Sequence, residues 1–159
     1  MGRVIRIDVL GTPAPKGSAR AFYNKRIGRA VLAQGSSKTG EKKIKAWSAA
    51  VADAVLHTLG DDYEPFVNTP LAVAIVFRLQ RPKKHYRTGK HGGILRGDAP
   101  TMPALVPDVD KIARCTLDPL TGTVFDDDSR IVELMVRKTY AKPGDEGATI
   151  LVREWSPTA

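Results

Sequence analysis

The chain is 159 residues long, 42% apolar and 26% charged, enough for one domain with a modest core. Its single cysteine, Cys115, excludes an intrachain disulfide and fits a reducing compartment, and no Cys/His spacing suits zinc. A formal charge of +8 and a pI near 9.8 point to a polyanionic partner, nucleic acid before others.

The opening "MGRVIRIDVLG" has an apolar run too short, and too broken by Arg6 and Asp8, for a signal peptide. Its alternation of Val4, Ile5, Ile7 and Val9 with polar neighbours predicts a first strand ending at Gly11. "TPAPKGSARAFYNKRIGRA" follows as a Pro/Gly loop with five basic residues between Lys16 and Arg29 and no acid. "AVLAQ" reads as a short second strand. From Gly40 to Leu59, Ile44, Trp47, Val51, Ala54, Val55 and Leu59 recur at helical spacing and predict a first helix.

"LAVAIVFRLQ" reads as a buried strand. Its apolar run, Leu71 to Phe77, is the longest in the chain and far below the ~20 residues that span a bilayer, so we expect a cytosolic protein without a membrane segment. Residues 81–106 then form a long loop rich in glycine and proline, expected to be flexible, with six Lys/Arg and no acid between Arg81 and Gly97. Asp108 to Leu120 predicts a second helix with Val109, Ile112, Ala113, Thr116, Leu117 and Leu120 inward. "RIVELMVRKTYA" and "ATILVREW" complete the strands. The expected architecture is a single α+β domain over residues 1–159, with two main helices and a mostly antiparallel or mixed sheet of about four strands.

Charge is unevenly spread. Residues 98–133 hold eight acids against Lys111, Arg114 and Arg130, a net of −5, so the rest of the chain carries +13. Within the acidic stretch, Asp108 and Asp110 follow Pro107. Residues i and i+2 inside a helix point ~200° apart and cannot share an ion. Pro107 suits a helix's first turn, where one carboxylate stays non-helical and both can face one point. The triple Asp126–Asp127–Asp128 lies between the Gly122 turn and a strand, where adjacent carboxylates repel and gain from a cation. Oxygen ligands without His or Cys suit Mg2+ or Mn2+. Taken alone, each cluster reads as helix capping or a solvated turn before it reads as a metal site. EF-hand and phosphate-loop patterns do not fit residues 126–137 or "GSSKTG".

"PDVDKIARCTLDPLTGTVFDDDSRIVEL" resembles the signature of the RusA family of Holliday junction resolvases. That signature runs Asp-x-Asp-Asn-Leu-x-Lys, then Asp-x-Leu, a glycine turn, and Asp-Asp ahead of a strand. "GTPAPKGSAR" is similar to the Pro- and Lys-containing loop after the family's first strand. The resemblance implies a small α+β homodimer, bacterial or phage-encoded and cytoplasmic, that cuts four-way DNA junctions with Mg2+, Mn2+ being a possible substitute. It places the paired acids on Asp108 and Asp110, the downstream catalytic acid on Asp128 with Asp127 beside it, and the family lysine on Arg114. Asp118 matches a further aspartate, read as structural. Two positions depart from the pattern: Lys111 replaces the usual Asn, and Arg114 the usual Lys. Arginine holds a phosphate bidentately but gives up no proton at ordinary pH.

The implied mechanism is metal-assisted phosphodiester hydrolysis in DNA recombination and repair. Asp108, Asp110, Asp128 and Asp127 are the candidate ligands, and Arg114 stabilises developing charge. The expected DNA contacts are Lys16, Arg20, Lys25 and Arg26 in the first loop, Lys83, Lys84, Arg87 and Lys90 in the second, and Lys111 beside the acids. The rival readings are a non-catalytic branched-DNA-binding protein with a degenerate site, a nuclease preferring flaps or other branched DNA, and a Mg2+ enzyme acting on a small phosphorylated molecule.

Overall fold

A computed structural model describes residues 2–17, 19–34 and 37–157, with side chains described at these positions except 19–22 and 32–34. Strand β1, Val4–Leu10, alternates as its sequence requires: Ile5, Ile7 and Val9 are buried and their neighbours exposed. Strands β2, Ala19–Asn24, and β3, Arg29–Gln34, pair antiparallel as a hairpin, register Asn24↔Arg29. The expected loop at residues 12–30 therefore contains a strand. Its run of basic residues hid the alternation that its partner completes.

Helix α1 spans Lys38–Leu59 and starts at Ser37, whose side chain accepts from the Gly40 amide. Trp47, Val51 and Val55 are its buried stripe, with Ile44, Ala54 and Leu59 partly buried beside them. Strand β4, Leu71–Leu79, is central. Helix α2, Val109–Leu117, passes into a 3-10 turn at Asp118–Leu120. Pro119 brings no amide proton to continue the α-helical ladder, so the regular helix is shorter than the apolar stripe suggests. Cys115 is buried too, outside the expected stripe, while Val109 is 39% exposed. Strands β5, Ile131–Tyr140, and β6, Gly147–Glu154, close the sheet.

The sheet order is β1-β6-β4-β5, antiparallel except for the β4–β5 pair, so the fold is α+β with a mixed four-stranded sheet and a separate two-stranded one. Both helices cover one face. Trp47 stands 6.5 Å from Phe77 on β4 and donates its indole N–H to Thr116 of α2 at 3.0 Å. That bond satisfies two groups that would be costly to bury unpaired, and it fixes α2 relative to α1. A register shift between Leu71 and Ala72 leaves Val132 without a direct partner. From there on, Leu134 and Val136 pair with Val73 and Ile75 on the helix-covered face.

The 81–106 segment carries local order: 3-10 turns at Lys83–His85 and Gly89–His91, and a bridge between Tyr86 and Leu95. Its base is fixed on β5, where the Arg81 guanidinium lies 4.0 Å from the Tyr140 ring centre and the His85 ring meets Tyr140 edge-on. No helix among the described residues is long and apolar enough to cross a membrane.

Candidate active site

The acidic stretch is arranged by what flanks it. Lys138, on the inner face of β5, donates to the Leu105 and Pro107 carbonyls at 2.7 and 2.9 Å and holds the chain where it enters α2. Asp108 is extended and stands just before the helix, yet makes no side-chain cap. Its carboxylate pairs with Lys111 at 2.5 Å. The hydrogen bond and charge of Lys111, with Lys138 behind it, hold the Asp108 carboxyl below the usual carboxylate range. Asp110 lies in the first helical turn with Arg114 one turn on.

Asp110 and Arg114 open onto a cavity of about 470 Å³, lined also by Val109, Ala113, Leu117, Asp118, Asp128, Leu134 and Val136. Asp128 arrives from a different part of the chain. Phe125, fully buried, anchors the turn before it, and the Phe66 carbonyl accepts from the Asp126 amide at 2.9 Å. The three neighbouring acids then divide. Asp126 takes the Arg130 guanidinium at 3.1–3.3 Å and the Asn68 amide at 3.4 Å, and its carboxyl is held low by Arg130. Asp127 caps the following 3-10 turn by accepting from the Ser129 amide at 2.8 Å, and hydrogen bonds from the Ser129 side chain and amide hold its carboxyl low in turn. Asp128 faces the cavity.

Asp110, Arg114, Asp118 and Asp128 thus share one cavity, while Asp108 and Asp127 stand outside its lining. Neither Asp110 nor Asp128 has an ion-pair partner among the described residues. Among those residues no three His, Cys, Asp or Glu side chains converge as a ready-made ligand cluster. A hard divalent cation takes oxygen ligands, one or two of them carboxylates, and completes its shell with water and substrate phosphate oxygens. The carboxylate oxygens of Asp110 and Asp128 fit that chemistry; thiolate or imidazole ligands are not offered.

The basic residues fall into groups. Lys16 reaches the site itself: its amide donates to the Lys111 carbonyl at 3.2 Å and its ammonium to Asp118 at 2.6 Å. Lys25 and Arg26 sit exposed in the β2–β3 turn, and the Arg20 side chain lies outside the described residues. In the second loop Arg81 and Arg96 are engaged, by Pro100 and Asp98, whereas Lys83, Lys84, Arg87 and Lys90 are exposed without an ion-pair partner among the described residues. The sequence reading missed three contributors: Lys138, Arg130, and the Leu134–Val136 wall. The alternation of β5 puts Leu134, Val136 and Lys138 on one face, so that signal was present, but the bulge at Val132 obscured which face it was.

No curated relative matches the sequence. The model of the family described as endodeoxyribonuclease RusA matches residues 13–152, from the loop that delivers Lys16 to the middle of β6. That span contains the cavity, both helices and every candidate acid, and on this match the chain belongs to the RusA endodeoxyribonuclease family.

Proposed function

We propose that the chain is a Mg2+-dependent endodeoxyribonuclease that resolves four-way DNA junctions by paired phosphodiester hydrolysis, acting as a homodimer in recombination and repair. The observation that carries this reading is the single cavity that joins Asp110 and Arg114 of α2 to Asp128 ahead of β5. Asp110 and Asp128 are the carboxylates that would hold the metal, with Mn2+ a workable substitute. Asp108 joins them only when Lys111 leaves it for a phosphate, and Asp127 keeps the turn that aims Asp128. A bound ion of this class lowers the pKa of its water and offsets charge on the phosphate.

The chain's own side chains do the rest. Arg114, across one helical turn from Asp110, is placed to bind two phosphate oxygens as negative charge grows on them. The apolar wall of Val109, Leu134 and Val136 excludes water from one side of the cavity and strengthens those interactions. Around the site, Lys83, Lys84, Arg87 and Lys90, with Lys25, Arg26 and Arg20, draw in the DNA that the carboxylates alone would repel. A twofold dimer presents two such sites to a junction whose strands are related by approximate twofold symmetry.

The test compares wild type with Asp108→Asn, Asp110→Asn and Asp128→Asn on a labelled synthetic four-way junction with Mg2+. All are expected to shift the junction in a gel. Wild type should cut it in paired positions, and the Asn variants should cut at least about 10²-fold more slowly. Normal cutting by a variant removes that residue from the site. A junction shifted but uncut by wild type supports a binding protein with a degenerate site instead, and faster cutting of flaps reassigns the substrate.

A further inference from the structure

We propose that Lys16 is a catalytic residue that protonates the leaving oxygen during strand cleavage, an inference that rests on the nuclease reading above. Lys16 lies 102 positions from Asp118, yet its Nζ stands 2.6 Å from an Asp118 carboxylate oxygen, and Asp118 lines the cavity. The loop carrying it is held along its length. The Gly11 amide donates to the Glu146 carbonyl at 2.9 Å, Ala14 is buried in the core, and the Lys16 amide donates to the Lys111 carbonyl on α2. Lys16 is therefore held by the fold beside the cavity, against Asp118. Both side chains of the pair are about half exposed, 48% and 49%, so the ammonium is open to a strand entering the cavity.

The chemistry is eased by such a group. In hydrolysis a water oxygen bonds to phosphorus and sheds a proton to solvent, while the bond from phosphorus to the ester oxygen breaks. That oxygen leaves as an alkoxide unless a proton reaches it. Among the described residues no His, Cys, Tyr or Lys lines the cavity, and the one cation among them that does, Arg114, holds its protons too tightly to donate. Lys111 stands outside the cavity lining, and so does Asp108, the acid with which it pairs. Lys16 is the N–H acid tied to a cavity residue. Asp118 orients its ammonium, the proton passes from Nζ to the leaving oxygen, and the amine recovers a proton from the water that half-surrounds it.

The experiment uses Lys16→Arg, which keeps the charge and can keep the Asp118 pair but has no readily transferable proton. Junctions are made with the ordinary ester oxygen or with sulfur replacing the bridging oxygen, in separate 3′ and 5′ forms, because a thiolate leaves without protonation. Lys16→Arg should bind all three junctions as wild type does, by fluorescence anisotropy in Ca2+. It should cut the oxygen junction about 10²–10⁴-fold more slowly and one of the sulfur junctions at close to the wild-type rate. Asp128→Asn should be rescued by neither. Wild-type rates on oxygen, or equal losses on oxygen and sulfur, overturn the role of Lys16 alone. Failure of wild type to cut any junction overturns the nuclease reading and this inference together.

Discussion

Three consecutive aspartates in one turn do three different things because each meets a different neighbour. Asp126 is the half-buried partner of Arg130, which also reaches the Asn68 side chain at 2.8 Å. Its carboxyl is lowered by Arg130, so the folded state favours the charged form. A carboxylate with a depressed folded-state pKa contributes stability above its unfolded value of ~3.9, and that contribution disappears as pH falls through the folded-state value. Asp126→Asn should therefore lower the melting temperature at pH 7, and the gap to wild type should close below about pH 4. Thermal melts by circular dichroism between pH 2.5 and 7 check this, and a gap constant with pH would show that Asp126 acts by shape alone. Asp128 has no such partner among the described residues, so Asp128→Asn should change stability little while abolishing cutting. The sequence shows three equal acids; Arg130 and the Ser129 amide, just beyond the triple, set Asp126 and Asp127 to structural work.

At the scale of elements, one glycine fixes how β6 begins. Gly147 has φ of +156°, and a Cβ there would stand 1.9 Å from the Val9 carbonyl oxygen on β1. The strands cannot pair in this register with any larger residue. Gly147→Ala should cost on the order of 3 kcal/mol in urea unfolding, with Gly97→Ala much milder because nothing lies within 4 Å of its Cβ and its backbone is outside the left-handed region. Similar costs for the two would remove the close approach as the cause. Periodicity made most elements legible beforehand: β1, α1, β4 and β6 each bury a residue set that repeats every two or every three to four positions. The β2 strand was hidden by its basic residues, and the end of α2 by Pro119. The candidate site was legible as a list of acids. What the sequence could not convey was their sorting, because Lys111, Arg130 and the Ser129 amide decide it through contacts that depend on the backbone path.

The whole molecule leaves one face of its sheet bare. Cross-strand rows on that face read Val4–Arg153–Ala72–Glu133 and Arg6–Leu151–Ala74–Met135. Val4 is 60% exposed, Met135 65% and Leu151 40%, and they border a groove of about 200 Å³ whose floor is kept low by Ala72 and Ala74. Arg153 reaches across Ala72 to Glu133, and Arg6 pairs with Asp8, so both charge signs flank an apolar centre. A surface of that kind is self-complementary: turned by a twofold axis, its acids can meet its bases while Met135 and Leu151 pack on their copies. It also lies opposite the face that carries α2 and the cavity, so pairing here would leave both cavities open to DNA. If the proposed homodimer forms on this face, Met135→Arg buries an unpaired charge at its centre and costs several kcal/mol of association. Sedimentation should then show wild type at twice 17.3 kDa and the variant at 17.3 kDa. The variant should keep its fold, because Met135 is exposed in the single chain, and should nick one strand of a junction where wild type makes paired cuts. A Met135→Arg protein that remains dimeric places the interface elsewhere, the outer edge of β5 being the next surface to probe, since edge strands pair readily with further strands.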